Sequence, residues 1–151
     1  MDYNALATVG LTIVGSLMTW YYSRATKKLA NEQMAKQLFT EFNKRYAELN
    51  DFLNKIENKY PTMDELNKAE DSDLLKQKVI DYFSLCAEEF YWYHHKHRID
   101  KIIWVSWQSG MNYWYQNVPA IKELWHRELQ TSGKQSYYIN DGDEFFQEKT
   151  L

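Results

Sequence analysis

Cysteine, proline and glycine are scarce in this 151-residue chain, which has one, two and five of them respectively. Cys86 alone cannot close an intramolecular disulfide or build a multi-cysteine zinc site, so nothing requires an oxidising compartment. So little Gly and Pro excludes collagen-like and Gly/Pro-rich disordered chains, and the length suits one modest domain. No excess of one charge is present either: a formal net charge of −3 argues against a protein that coats nucleic acid generally, while leaving local basic patches open. Repeats, low-complexity segments and runs of alternating strands are absent. The abundant class is aromatic. Tyr, Phe and Trp make up 17% of the chain, and twelve of these rings lie between Tyr82 and Trp125, a segment therefore expected to hold the core or an interface.

From Ala5 to Tyr22 there is no charged residue. A helix of these 18 residues is about 27 Å long, close to the thickness of a hydrocarbon core, so the segment is expected to span a membrane. Asp2 precedes it and Arg24, Lys27 and Lys28 follow, the reverse of a cleaved signal peptide. Since Lys and Arg favour the cytoplasmic side, the amino terminus is expected outside and residues from about Arg24 onward in the cytoplasm. Around the helix, Ala5, Thr8, Thr12, Gly15, Ser16 and Thr19 share one arc. Helices in lipid associate through small residues and hydroxyls rather than through hydrophobic burial, so this face reads as a seam between copies. The bland alternative is that the hydroxyls bond back to their own helix.

Residues 24–133 are expected to form an all-α cytoplasmic bundle, following the membrane helix of residues 1–23 and preceding a tail of residues 134–151. Met34, Leu38, Phe42, Leu49, Leu53, Ile56 and Tyr60 recur at helical spacing, and no Gly or Pro interrupts Ser16 to Tyr60, so one long helix is predicted to end at Pro61. Thr62 and Glu65 have capping-box spacing for a short helix with little apolar surface, over about Met63 to Ala69. Glu70, Asp71 and Asp73 favour the start of a stronger helix, whose apolar face is Leu75, Val79, Tyr82, Phe83, Cys86, Phe90 and Tyr93 and which is expected to reach about His97. Asp100 can cap a helix carrying Trp104, Trp107, Met111 and Trp114, with Ile99 packing on Trp104 as a staple. Pro119 suits the first turn of a last helix with Ile121, Leu124, Trp125 and Leu129, ended by Gly133. Short breaks between helices favour antiparallel neighbours. In the tail, an Asn140-Asp141-Gly142 turn separates Tyr137, Tyr138 and Ile139 from Phe145 and Phe146, which either dock or form a mobile arm.

Few residues carry recognisable chemistry. Trp92, His94, His95, Lys96, His97 and Arg98 mix rings and cations as phosphate-bearing or single-stranded ligands require, although cations at a helix carboxyl end also suit the macrodipole. Glu88 and Glu89 lie at the wrong offsets for a carboxylate–histidine metal site and, being adjacent, do not share a helix face, so they read as solvated or paired. Cys86 reads as core, and the run Asp141 to Glu144 as a turn rather than a calcium loop. The tryptophans at helical offsets read as core rather than as a ligand cage. No catalytic residue, metal ligand or cofactor is expected.

With Asp81-Tyr82-Phe83, Glu88-Glu89, Arg98-Ile99-Asp100, Trp104, Trp107, Gly110-Met111 and Trp125, the chain resembles small bacterial single-pass membrane proteins with a Trp-rich cytoplasmic helical domain over about residues 5–130. In plan it is similar to membrane accessory proteins of CRISPR antiphage systems. That resemblance implies homo-oligomers in the membrane and, in some members, a cyclic oligonucleotide or RNA ligand, for which Trp92 and His94 to Arg98 are the candidate region by charge and stacking rather than by a matched motif. Some accessories resemble HEPN ribonucleases, but none of Arg24, Arg45, Arg98 or Arg127 has a histidine at the required distance downstream, so no ribonuclease residue carries over. Two functions are expected from this: an oligomeric effector that perturbs or permeabilises the membrane, or a passive tether recruiting a cytoplasmic protein or nucleic acid.

Overall fold

Both prolines fall at helix boundaries. In the computed structural model, which describes residues 3–140 and 144–147 and the side chains of 14–140 and 144–147, helix α1 (Tyr3–Lys59) stops just before Pro61, and Pro119 opens helix α5 (Pro119–Thr131). Between them lie α2 (Met63–Lys68), α3 (Ser72–Phe90), a π-helical turn (Tyr91–His95) and α4 (Lys101–Asn117), and a short 3₁₀ turn (Lys134–Tyr137) follows α5. The described residues form helices and loops and no strand. The protein is all-α.

The chain divides into two units, Met1–Gln37 and Leu38–Leu151, and α1 belongs to both. In the first unit every residue from Val14 to Met34 is exposed, Leu17, Trp20 and Leu29 among them. Exposure of Met34 departs from the amphipathic reading, in which it begins the buried face. That face begins instead with half-buried Leu38 and continues through Phe42, Leu49, Leu53 and Ile56. Among the described residues no helix is long and apolar enough to cross a membrane. The charge-free run lies only partly among them, since the side chains of Ala5 to Ile13 fall outside.

The second unit follows the caps legible in the sequence. Thr62 and Glu65 form the expected capping box, the Thr62 amide donating to Glu65 Oε2 at 3.1 Å. Its short helix is less polar than expected, because Met63 and Leu66 are buried, and the Ala120 amide donates to the Pro61 carbonyl at 2.9 Å to pin the turn to α5. Asp71 sits at the start of α3 but turns its carboxylate to Lys55 of α1 instead of to the free amides of its own helix. Asp100 caps α4, its Oδ1 accepting from the Ile102 amide at 2.7 Å. Gly133, two residues beyond the end of α5, has φ 75° and ψ 160°, a positive-φ conformation open to glycine without steric cost.

α3 is the centre of the bundle. Leu75, Val79, Tyr82, Phe83, Leu85, Cys86 and Phe90 are all buried, and the tail docks beside them. Tyr137, Ile139, Phe145 and Phe146 are buried, the two Phe rings 5.1 Å from Trp125 and the Phe146 ring 5.9 Å from Phe83. Trp104, Trp114 and Trp125 are core residues, as their offsets imply, whereas Trp107 is half-buried. Of the expected tail turn, Asp141, Gly142 and Asp143 lie outside the described residues.

Phe145→Ala removes a fully buried ring and should cost about 3–5 kcal/mol. Urea unfolding of the full-length protein measures this, and a cost below about 1 kcal/mol would mean that the tail is not part of the core.

Candidate functional site

The basic aromatic segment is split by its own backbone. α3 stops at Phe90, and the next five residues form the π-helical turn instead of carrying the helix to His97. A π turn inserts an extra residue and rotates the side chains that follow relative to an unbroken helix. Tyr93 stacks on Trp104 with ring centroids 4.9 Å apart, and His94 stacks on Phe90 at the same distance. His95 Nε2 lies 3.1 Å from the Tyr138 carbonyl, Lys96 sits 5.3 Å from the Tyr91 ring centre, and Trp92 packs against the core. His97 has φ 51°, a conformation that costs an ordinary L-residue about 1 kcal/mol, and the Arg98 amide donates back to the Trp92 carbonyl at 2.9 Å.

Of the six residues nominated in this segment, the fold brings only His94, His97 and Arg98 together. With Tyr93 and Lys101 they line an open groove of about 460 Å³, beside the Asp100 cap. Trp92, His95 and Lys96 serve mainly to hold the turn and the tail. Arg98 and Lys101 line the groove together with the Asp100 carboxylate and the Tyr93 ring, and its cations and ring are groups that suit a phosphate-bearing ligand.

A second site was hidden in Glu88 and Glu89. Being adjacent on α3, they diverge: Glu88 receives two hydrogen bonds from Arg45 of α1, at 2.7 and 2.9 Å, and Glu89 goes inward. Glu89 is 6% exposed, the one buried charged or polar residue among those described, so the solvated or paired reading holds for Glu88 and fails for Glu89. Burial pushes its carboxyl up to about 8, Arg45 opposing the shift and Glu88 adding to it.

Glu89 lines a cavity of about 200 Å³ with Tyr46, Tyr82, Trp107, Gly110 and Met111. The Tyr82 hydroxyl is buried and has no nitrogen or oxygen partner, the weakly accepting Cys86 sulfur being its polar neighbour. Burial raises both the Tyr82 phenol and the Cys86 thiol well above their ordinary values, which makes Cys86 an inert core residue. The Tyr46 hydroxyl accepts from Trp114 Nε1 at 3.0 Å and keeps its own proton to donate. A signal for Glu89 was present in the sequence: it is three residues after Cys86 and seven after Tyr82, on the apolar stripe of α3.

The seam residues of α1 are placed only in part. Ala5, Thr8 and Thr12 lie outside the described side chains, whereas Gly15, Ser16 and Thr19 are exposed together on one surface with Trp20 and Ser23. Thr19 Oγ1 donates to the Gly15 carbonyl at 2.9 Å, the back-bonding expected of a hydroxyl on an isolated helix. Among the described residues no group of three or more His, Cys, Asp or Glu is gathered as a metal ion requires. Compared with known proteins, the chain matches no family model, no curated protein and no solved structure.

Glu89→Gln tests the buried carboxyl. A carboxyl held at about 8 when folded and near 4.5 when unfolded loses its proton first in the unfolded chain, so wild-type stability falls by about 1.4 kcal/mol per unit as pH rises through that window. The amide does not titrate. The stability of Glu89→Gln relative to wild type should therefore climb between pH 5 and 8, as read from urea midpoints, and a pH-independent difference would mean that the carboxyl is solvated.

Proposed function

We propose that the chain is a homo-oligomeric, single-pass inner-membrane effector, with its amino terminus outside and its helical bundle in the cytoplasm, that perturbs or permeabilises the bilayer. The observation that carries this reading is the uncovered apolar stretch of α1. Val14, Leu17, Met18, Trp20, Tyr21 and Tyr22 are each more than half exposed. Apolar surface of this extent is stable only when something removes it from water. A bilayer suits it because the stretch ends on Trp20, Tyr21 and Tyr22, rings that favour the interface, and because the Arg24 guanidinium lies over the Trp20 ring at 4.1 Å.

Assembly would use the face of Ala5, Thr8, Thr12, Gly15, Ser16 and Thr19. A side chain added at Gly15 meets nothing within 4 Å, so the helix surface there is open to close approach by another helix. The groove of His94, His97, Arg98 and Lys101 is the candidate site for a gating ligand, a cyclic oligonucleotide or RNA, and antiphage defence is the context that the resemblance to CRISPR accessory proteins supplies. The ligand would act by favouring one oligomeric arrangement over another. A second reading is a passive tether that recruits a cytoplasmic protein; it is favoured by Ile102 and Val105, which stand exposed on α4 beside the groove.

Mass measurement of the full-length protein in nanodiscs, with and without cyclic oligoadenylate, should give a discrete homo-oligomer that the nucleotide alters. Replacing Thr8, Thr12, Ser16 and Thr19 by leucine should disperse it and abolish liposome leakage. Unchanged leakage in that variant would overturn the seam, and a monomer under all conditions would favour the tether.

A further inference from the structure

The Glu89 cavity lies wholly within the second unit, between α1, α3 and α4, and its chemistry is independent of the membrane reading. Its wall is rich in acceptors and rings and lacks a cation. Asn43 donates its amide hydrogen to the Phe39 carbonyl at 2.8 Å, which leaves its side-chain oxygen as an acceptor. Trp107, stacked on Phe39 at 6.0 Å, contributes an indole, and Tyr46 and Tyr82 contribute phenols. The nearest positive charge, Arg45, is held by Glu88 in a two-point hydrogen bond.

A buried carboxyl outside any ion pair, flanked by aromatic side chains, becomes complementary to a positively charged nitrogen once it gives up its proton. Ammonium N–H groups satisfy the acceptors, the charge neutralises Glu89, and the rings favour it through their quadrupoles. An anion finds no cation on this wall, and a metal ion finds one carboxylate where it needs several ligands. The space suits a small molecule, for a cavity of about 150 Å³ takes a benzene ring and this one measures about 200 Å³. The geometry points to a binding site for a small organic ammonium ion, an alkylamine or arylalkylamine, with Glu89 as its counter-ion and Tyr46, Tyr82 and Trp107 as its aromatic walls.

Binding is coupled to proton release. Around Glu89 the ionisable groups are Arg45 and Tyr46 on α1 and Glu88, Cys86 and Tyr82 on α3, while Ser106, Trp107, Gly110 and Met111 bring none from α4. Burial holds the Tyr82 and Cys86 protons in place through the physiological range, and Arg45 is bound to Glu88 by two hydrogen bonds. Glu89 is then the group that changes state, and a cation that requires its anionic form displaces one proton.

Benzylammonium is the probe and benzyl alcohol its neutral counterpart, each titrated calorimetrically into the full-length protein in detergent between pH 6 and 8.5. Benzylammonium should bind saturably, at least about tenfold more tightly than the alcohol, with affinity rising with pH and proton uptake by the buffer approaching one per site near pH 6. Glu89→Gln should lose the preference for the cation. Gly110→Leu fills the cavity from a helix position where an added Cβ meets nothing within 4 Å, and should lose binding of both probes while keeping the helical circular dichroism spectrum. Equal affinity for the two probes, a pH-independent affinity, or unchanged cation binding by folded Glu89→Gln would overturn the proposal, as would saturable binding of neither probe to the wild type.

Discussion

Contact between Phe83 of α3 and Trp125 of α5, with ring centroids 5.0 Å apart, organises the helical bundle. Aromatic rings supply large buried area with few degrees of freedom, and edge-to-face pairs add a directional preference. Around this pair the chain gathers Tyr137, Phe145 and Phe146 from the tail, and Phe90 at the end of α3 meets Phe145, so the inner face of α3 is covered by residues distant from it in sequence. With α3 enclosed, any polar group on its inner stripe must be enclosed too, and that is the fate of Glu89. The buried carboxyl is a consequence of where the aromatic contacts place its helix.

Much of the fold was legible because its punctuation is local. Pro61, the Thr62–Glu65 box, Asp100 and Pro119 each act within a turn of their own position, and each does so in the structure. The misreadings come from residues whose state is set at a distance. Met34 has the right periodicity but is exposed, whereas Leu38 and Phe42, further along the same helix, pack on the core. Asp71 has a capping residue's position, yet Lys55, sixteen residues earlier, holds its side chain. The switch from α3 into a π turn has no sequence marker such as Gly or Pro; it accompanies the packing of Tyr93 on Trp104 and of His95 on the Tyr138 carbonyl.

The candidate sites divide along the same line. Cations of the 94–98 segment are visible in sequence as composition, but only the backbone at His97 decides which of them face one groove. Glu89 is visible as a carboxyl on an apolar stripe, and helical periodicity separates it from Glu88. Its significance depends on what lies across from it: Arg45 is committed to the neighbour, the Tyr82 hydroxyl has only the weakly accepting Cys86 sulfur beside it, and α4 passes with a glycine and no charge. Such information belongs to pairs of helices rather than to any one of them.

Docking of Phe145 and Phe146 also bears on the order of events during synthesis. Their rings belong to the same cluster as Phe83 and Trp125, so the core cannot close until residue 146 has left the ribosome. The apolar stretch that ends at Tyr22 emerges long before that, while the bundle is still open.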